Sequence, residues 1–293
     1  EVNQMKSKKP FLSRELIYNN LDALIDFFIE KKYHIPQIDL FSGEIWHTDF
    51  GIEILNKLYE SLFKGFRFDK IMIPTNGTFI QYPKYRDKIQ TLIRKFDKVN
   101  VRFAISFSLD GLILEEESRP RIVQDNNLIR DNDFYHKVFE FCKYNEYVFH
   151  PMVSALSIKK WKENFIWWKN ICKEYNADAH KVLMMLEVRD DNWTAESIKD
   201  YCDFIEFLIQ DKMKDYNNDP KRFLDFYFGN EPEEPNEFKV GLGYVPYLLV
   251  EATKHLPCSA ATQLIIRLGD LAIIPCHRMS YPQFLYGKFI TNE

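Results

Sequence analysis

Glycine is scarce in this chain, with 10 in 293 residues, against an average usage near 7%. Its elements must therefore be built from large side chains, with each remaining glycine sitting at a backbone need. Cysteine is sparse too. Cys142, Cys172, Cys202, Cys258 and Cys276 are odd in number, widely spaced and without a close CxxC pair. That excludes a disulfide framework and suits a reducing cytosol. No apolar run approaches the roughly 20 residues of a membrane span, and no signal peptide is visible. A cytoplasmic protein without a membrane partner is expected. Positive charge is not in excess, since Lys plus Arg at 39 against Asp plus Glu at 43 gives −4. An electrostatic nucleic-acid binder normally carries a basic surplus, so no nucleic-acid partner is expected. The chain opens on Glu1 and not on Met, and a segment upstream of it is expected.

What is present is a foldable mixture, 46% hydrophobic and 28% charged, with aromatics at 16%. At roughly 150 residues per domain, the length predicts two domains or one large barrel with an extension. Helical and strand periods alternate along the chain. Ser13 caps a predicted helix to Lys32, and Pro36 breaks it. Strands are predicted over 35–41, 68–73, 99–107, 147–153 and 182–188. Between and after them lie helices over 50–63, 85–96, 134–144 and 161–175, with a last one capped by Thr194 and running to about Met213. Strands each followed by a helix imply parallel pairing, in a (βα) barrel or an open α/β sheet. Residues 215–239 read as a polar linker. Gln263 to Pro275 holds two apolar runs around Gly269-Asp270, a hairpin signal flanked by Cys258 and Cys276.

Three successive predicted strands end in small, polar, glycine-containing turns: Ser42-Gly43-Glu44, Thr75-Asn76-Gly77-Thr78 and Ser108-Leu109-Asp110-Gly111. In a barrel the active site lies at the C-terminal strand ends. Glycine there lets a backbone approach a ligand, and the polar side chains bind it. The acidic neighbourhood of Glu44, Asp49 and Asp110 suits an amine or a cationic ligand. Each turn alone is also an ordinary turn sequence. Three at equivalent positions point to a shared site.

These residues carry a resemblance to the radical S-adenosylmethionine enzymes. Ser42-Gly43-Glu44-Ile45, running into Trp46-His47-Thr48-Asp49-Phe50, resembles that family's GGEP motif. Thr75-Asn76-Gly77-Thr78 is similar to its TNG turn, and Phe107-Ser108-Leu109-Asp110-Gly111 to its VS(I/L)DG turn. Their order and intervening helices also match, over roughly Phe11 to Met213. The run R-L-G-D-L-A-I-I-P-C-H-R ending at Arg278, with Cys258 before it, resembles the opening of a SPASM or twitch extension.

The resemblance implies a partial (βα)6 TIM-like barrel over 1–213, a linker over 214–257 and a small β-hairpin extension over 258–293. It implies S-adenosylmethionine as cosubstrate, a primary [4Fe–4S] cluster fed by an external electron donor, and an auxiliary cluster. Glu44 and the Ser42-Gly43 backbone would take the amino group of the methionine part. Asn76, Ser108 and Asp110 would lie near its ribose and carboxylate, with Arg119 a further candidate for the carboxylate. Cys258 and Cys276 would ligate the auxiliary cluster. The implied reaction forms a 5′-deoxyadenosyl radical that abstracts hydrogen from a peptide or protein side chain, and the protein's part is to bind and orient.

The chain departs from the pattern in several places. The cluster-binding CxxxCxxC, due before the Ser13 helix, is absent, and so are the later SPASM cysteines. Gly269 to Cys276 is two residues longer than the usual G-x4-C, Ile45 replaces the proline of GGEP, and Ser42 its first glycine. The alternative function is a degenerate barrel that only binds a peptide or partner protein. An aldolase-like barrel needs a catalytic lysine at a strand end, and Lys70 and Lys181 are expected ahead of their strands.

Other residues are ambiguous by type. Glu187, Arg189 and Asp190 follow a strand toward the barrel mouth, as substrate or proton-transfer groups or as a solvated strand end. His47, His150 and Met152 read as packing residues, and His277 as a poor metal ligand. Cys142, Cys172 and Cys202 are expected as buried inert thiols. Trp161, Trp167 and Trp168 are expected in the core or an interface.

Overall fold

The computed structural model describes residues 13–40, 44–115, 131–182, 186–188, 192–221, 265–274 and 287–289. Helices and strands alternate: α1 (Arg14–Glu30), β1 (His34–Asp39), α2 (Phe50–Phe63), β2 (Arg67–Thr75), α3 (Pro83–Asp97), β3 (Arg102–Phe107), α4 (Asn132–Cys142) and β4 (Glu146–Phe149). They continue as β5 (Met152–Val153), α5 (Trp161–Glu174), α6 (Ala179–Val182), β6 (Glu187–Val188) and α7 (Ala195–Met213). Strands β7 (Ile265–Ile266), β8 (Ala272–Ile274) and β9 (Gly287–Lys288) follow.

The class is α/β. Strands β1 to β4 form one parallel sheet in sequential order, and β5 pairs with β6, also in parallel. Pro151 separates β4 from β5; proline cannot donate to a ladder, and one extended stretch becomes two pieces. The first piece pairs with β3 and the second with β6.

The two sheet faces differ in chemistry. Register places Ile38, Ile71 and Phe103 side by side, then Ile73, Ile105 and Tyr147, then Thr75, Phe107 and Phe149. This face meets the helices: Phe96 of α3 lies 5.7 Å from Phe103 and Trp168 of α5 5.1 Å from Phe149. The opposite face carries Gln37, Lys70 and Arg102 in one row and Asp39, Met72, Ala104 and Glu146 in the next. A parallel sheet is ordinarily apolar on both faces. The polar second face is what sets this one apart.

Local signals account for the helix ends. Ser13 Oγ accepts from Leu16 N at 3.1 Å, and Leu21, Leu24 and Ile25 of α1 are buried. At α7, Thr194 and Ser197 form a reciprocal cap, with Ser197 N reaching Thr194 Oγ1 at 3.2 Å and Thr194 N reaching Ser197 Oγ at 2.8 Å. Replacing Thr194 by Ala should cost about 1 kcal/mol in thermal unfolding; an unchanged melting temperature would show that the cap adds nothing.

Several sequence expectations shift. Helix α1 stops at Glu30, with Lys32 in the left-handed region, so Pro36 lies inside β1 and does not end the helix. The strand expected from 99 starts at Arg102, because 97–101 form the turn after α3, with Asn100 at φ 59. The strand expected from 182 is preceded by the short helix α6, and its described part is Glu187–Val188. Lys70 lies within β2, not ahead of it. Cys202 is exposed on α7, whereas Cys142 and Cys172 are buried as expected. Trp161 and Trp168 are fully buried and Trp167 partly so.

The hairpin is present. β7 and β8 pair antiparallel, closed by Arg267 and Asp270 in an ion pair, with Leu271 at φ 55. It sits on α1: Asn20 Nδ2 donates to Leu268 O at 2.6 Å, and Phe289 packs on Phe27 with ring centroids 4.7 Å apart. Among the described residues, no helix is long and apolar enough to cross a membrane.

Candidate functional site

Glu44, shortly after β1, meets the turns after β2 and β3 at the C-terminal edge of the parallel sheet. Glu44 sets the join. Its carboxylate accepts from the Thr75 hydroxyl at 2.8 Å, from Asn76 N at 2.7 Å and from Trp46 N at 3.2 Å. One side chain thereby fixes its own 3-10 turn (Ile45–His47) and the exit of β2. Thr75 passes the arrangement on, because its hydroxyl accepts from Gly77 N at 3.1 Å while its carbonyl accepts from Ser108 N at 2.8 Å. Asn76 Oδ1 accepts from both the backbone N and the hydroxyl of Thr78, at 2.9 and 2.7 Å. Glu44, Asn76 and Ser108 are therefore brought together at one edge of the sheet.

Asp110 has a different setting. It is 2% exposed, and its Oδ1 accepts from Met152 N at 2.7 Å. The carboxylate stands in for a ladder partner just past the end of β3, fastening β5 to the sheet. Its carbonyl accepts from Asn164 Nδ2 at 2.7 Å and Trp168 Nε1 at 3.2 Å. Asp49 is at the surface, where its hydrogen bond with Lys88, 2.7 Å long, holds its carboxyl below the usual range. The acidic neighbourhood read from sequence thus separates into an interlocked Glu44, a buried Asp110 and a surface Asp49.

The glycines have local reasons. Gly77 has φ 78, and Gly111 has φ 112 with its N bonded to Tyr135 Oη at 3.1 Å. A Cβ on Gly111 would fall 2.4 Å from Asn164 Oδ1, so the helix α5 side chains crowd it. Conformation and packing require glycine at these positions before any ligand is considered.

Below the turns, the polar sheet face carries an ion cluster that sequence reading missed. Glu146 accepts from Arg102 Nε and Nη2 at 3.0 and 2.8 Å and lies 3.1 Å from Lys70 Nζ. Burial raises the Glu146 carboxyl, but the bonds from Arg102 and Lys70 outweigh it and hold it low. Asp39 is pushed up by burial, against the hydrogen bond from Gln37 Nε2 at 2.7 Å and the nearby Lys70. The available signal was a charged residue on the same alternating face of each of four strands, Asp39, Lys70, Arg102 and Glu146. Trp46, also passed over, is 3% exposed with its indole Nε1 unpartnered, and its ring lies 5.8 Å from Phe79.

Ser42, Gly43, Arg119, Arg189, Asp190, Cys258 and Cys276 lie outside the described residues. Glu187 is the first residue of β6, with Met152 opposite it. Compared with known proteins, the chain matches no family model and no curated protein.

Proposed function

We propose that this chain is the S-adenosylmethionine-binding barrel of a radical S-adenosylmethionine-type enzyme, with the cosubstrate seated across the turns after β1, β2 and β3. The observation that carries the reading is the Glu44 carboxylate bonded to Thr75 and Asn76, which draws the two most family-like turns into one edge. The sequential parallel order of β1 to β4 and the polar inner face with Asp39, Lys70 and Glu146 support a curled, barrel-like sheet with a solvated lumen. The donor set fits the cosubstrate's methionyl end: a carboxylate and carbonyl oxygens suit its ammonium and sulfonium charges. The unpartnered Trp46 Nε1–H, two residues from Glu44, supplies a donor for an oxygen acceptor. A peptide or protein side chain is the proposed substrate.

The iron–sulfur cluster is a separate matter. Burial pushes the Cys142 thiol up strongly and the Cys172 thiol to about 12, and both lie within α4 and α5. Among the described residues, no group of three or more His, Cys, Asp or Glu is arranged to hold a metal ion. These residues do not fit a cluster, and the sequence holds no CxxxCxxC. Their own work is to bind and orient the cosubstrate.

Isothermal titration of the 293-residue chain with S-adenosylmethionine tests the reading. One-to-one binding in the micromolar range is expected. Absence of heat at millimolar ligand overturns it and leaves the peptide- or partner-binding module in its place.

A further inference from the structure

A second cluster of charge lies far from the strand-end turns. A helix that follows a parallel strand runs back toward the strand's start, so the C-terminal ends of α5 and α7 lie on the opposite side of the sheet units. There a cleft of about 390 Å³ is lined by Lys169, Lys173, Asp178, His180, Asp211 and Asp215. His180 is 4% exposed and Asp211 7%.

The cluster is organised around one carboxylate. Asp211 receives Lys169 Nζ at 2.7 Å on both oxygens, Lys214 Nζ at 3.3 Å and His180 Nε2 at 3.2 Å. Lys212 bridges Asp178 at 2.9 Å and Asp215 at 3.0 Å, and Asp178 Oδ1 accepts from His180 N at 2.8 Å. The last turn of α7 is thus tied to α5 through Lys169 and to α6 through His180. The imidazole packs on Phe165 with centroids 4.9 Å apart, and its second nitrogen, Nδ1, is buried with no hydrogen-bond partner.

That orphan nitrogen decides the chemistry. With Nε2–H donating to Asp211, Nδ1 is a bare acceptor, and a neutral ring loses one hydrogen bond. Protonation instead places a charged donor in a space that offers it no acceptor, the costlier arrangement. The charged groups around the ring are Lys169 and Lys173 from α5, Asp178 from the turn before α6, and Asp211, Lys212, Lys214 and Asp215 from the end of α7 and the turn after it. From β4, which packs on α6, Tyr147 lies on the helix-facing side of the sheet, whereas Glu146 lies on the other side, engaged by Lys70 and Arg102.

We propose that His180 is an acid-sensitive clasp, which when neutral holds the last turn of α7 on α5 and α6 through Asp211 and when protonated lets that turn go. Burial lowers the ring's basicity below its usual 6.5, aided by Lys212 and opposed by Asp178 and Asp211. The open form therefore takes up the proton first. The clasp is complete above pH 6.5 and weakens as pH falls below that value, until the native ring also titrates. Asp178 and Asp211 are both held below 3.8 by their ion pairs, so the interval between belongs to the histidine.

Hydrogen exchange of the Asp211, Lys212 and Met213 amides in the full chain, expressed as protection over the intrinsic rate, tests this. Protection should drop by up to about tenfold between pH values of about 7.5 and about 5.5, and His180→Gln, which keeps a donor toward Asp211, should abolish the drop. Equal wild-type protection at both pH values, or the same drop in H180Q, overturns the clasp. If H180Q does not fold, the wild-type His180 ring is titrated by NMR. A midpoint below 6.5 that moves with the α7 amide shifts supports the clasp; a midpoint at or above 6.5, or unmoved amides, overturns it.

Discussion

Glu44→Ala is expected to destabilise the protein by about 3 kcal/mol and to weaken S-adenosylmethionine binding by at least about tenfold. The first part follows from what the substitution strands. Thr75 is 2% exposed, and its hydroxyl and the Asn76 N–H both donate to the Glu44 carboxylate. Alanine removes the acceptor and keeps both donors; the buried Thr75 hydroxyl left orphaned costs about 1–3 kcal/mol, and the part-buried Asn76 N–H adds less. The second part follows from geometry, since Gly77 and Ser108 are positioned through Thr75 and the ligand edge loosens with it. Glu44→Gln keeps an acceptor oxygen and loses the charge. It should recover much of the stability but little of the affinity for a cationic ligand. Denaturant unfolding and titration calorimetry read the two effects separately. Lost stability with unchanged affinity would confine Glu44 to structure, and the ligand assignment would fall.

The sequence-level signals that succeeded are local ones. The helical period over 50–63 matches α2 at both ends, and Thr194 gives the start of α7. The turns after β2 and β3 were legible because glycine and small polar residues recur after apolar runs. What failed depended on partners distant in sequence. Glu44 meets Thr75 across 31 positions and Asp110 meets Met152 across 42, and no spacing rule foresees either bond. Lys70 falls inside the apolar run predicted over 68–73, and β2 contains it. A charge on the polar face of a parallel sheet interrupts that run without ending the strand. Cys202 shows the same limit on a helix: its position in an amphipathic pattern did not fix its side, and it is exposed.

Gly111→Ala tests the other half of the site's architecture and should cost about 4 kcal/mol. The residue has φ +112, and its added Cβ would lie 2.4 Å from Asn164 Oδ1, 2.6 Å from Trp168 Nε1 and 2.7 Å from Asn164 Nδ2. Neither side chain can step back freely, because Asn164 Nδ2 and Trp168 Nε1 both donate to Asp110 O and both residues are fully buried. Backbone strain of about 1–3 kcal/mol therefore adds to overpacking of similar size. Gly77→Ala is the control. It shares the positive φ, at +78, but its Cβ would meet only the rings of Phe107 and Phe134 at 3.3 Å, contacts that a few tenths of an ångström relieve. A cost of about 1 kcal/mol is expected there. The difference between the two variants combines the crowding by α5 with the costlier backbone of Gly111, at ψ 156 against ψ −1 for Gly77. Equal melting temperatures for G111A and G77A would mean that the Asp110 turn yields as easily as the Asn76 turn, and that Asn164 and Trp168 do not hold the end of β3 in place.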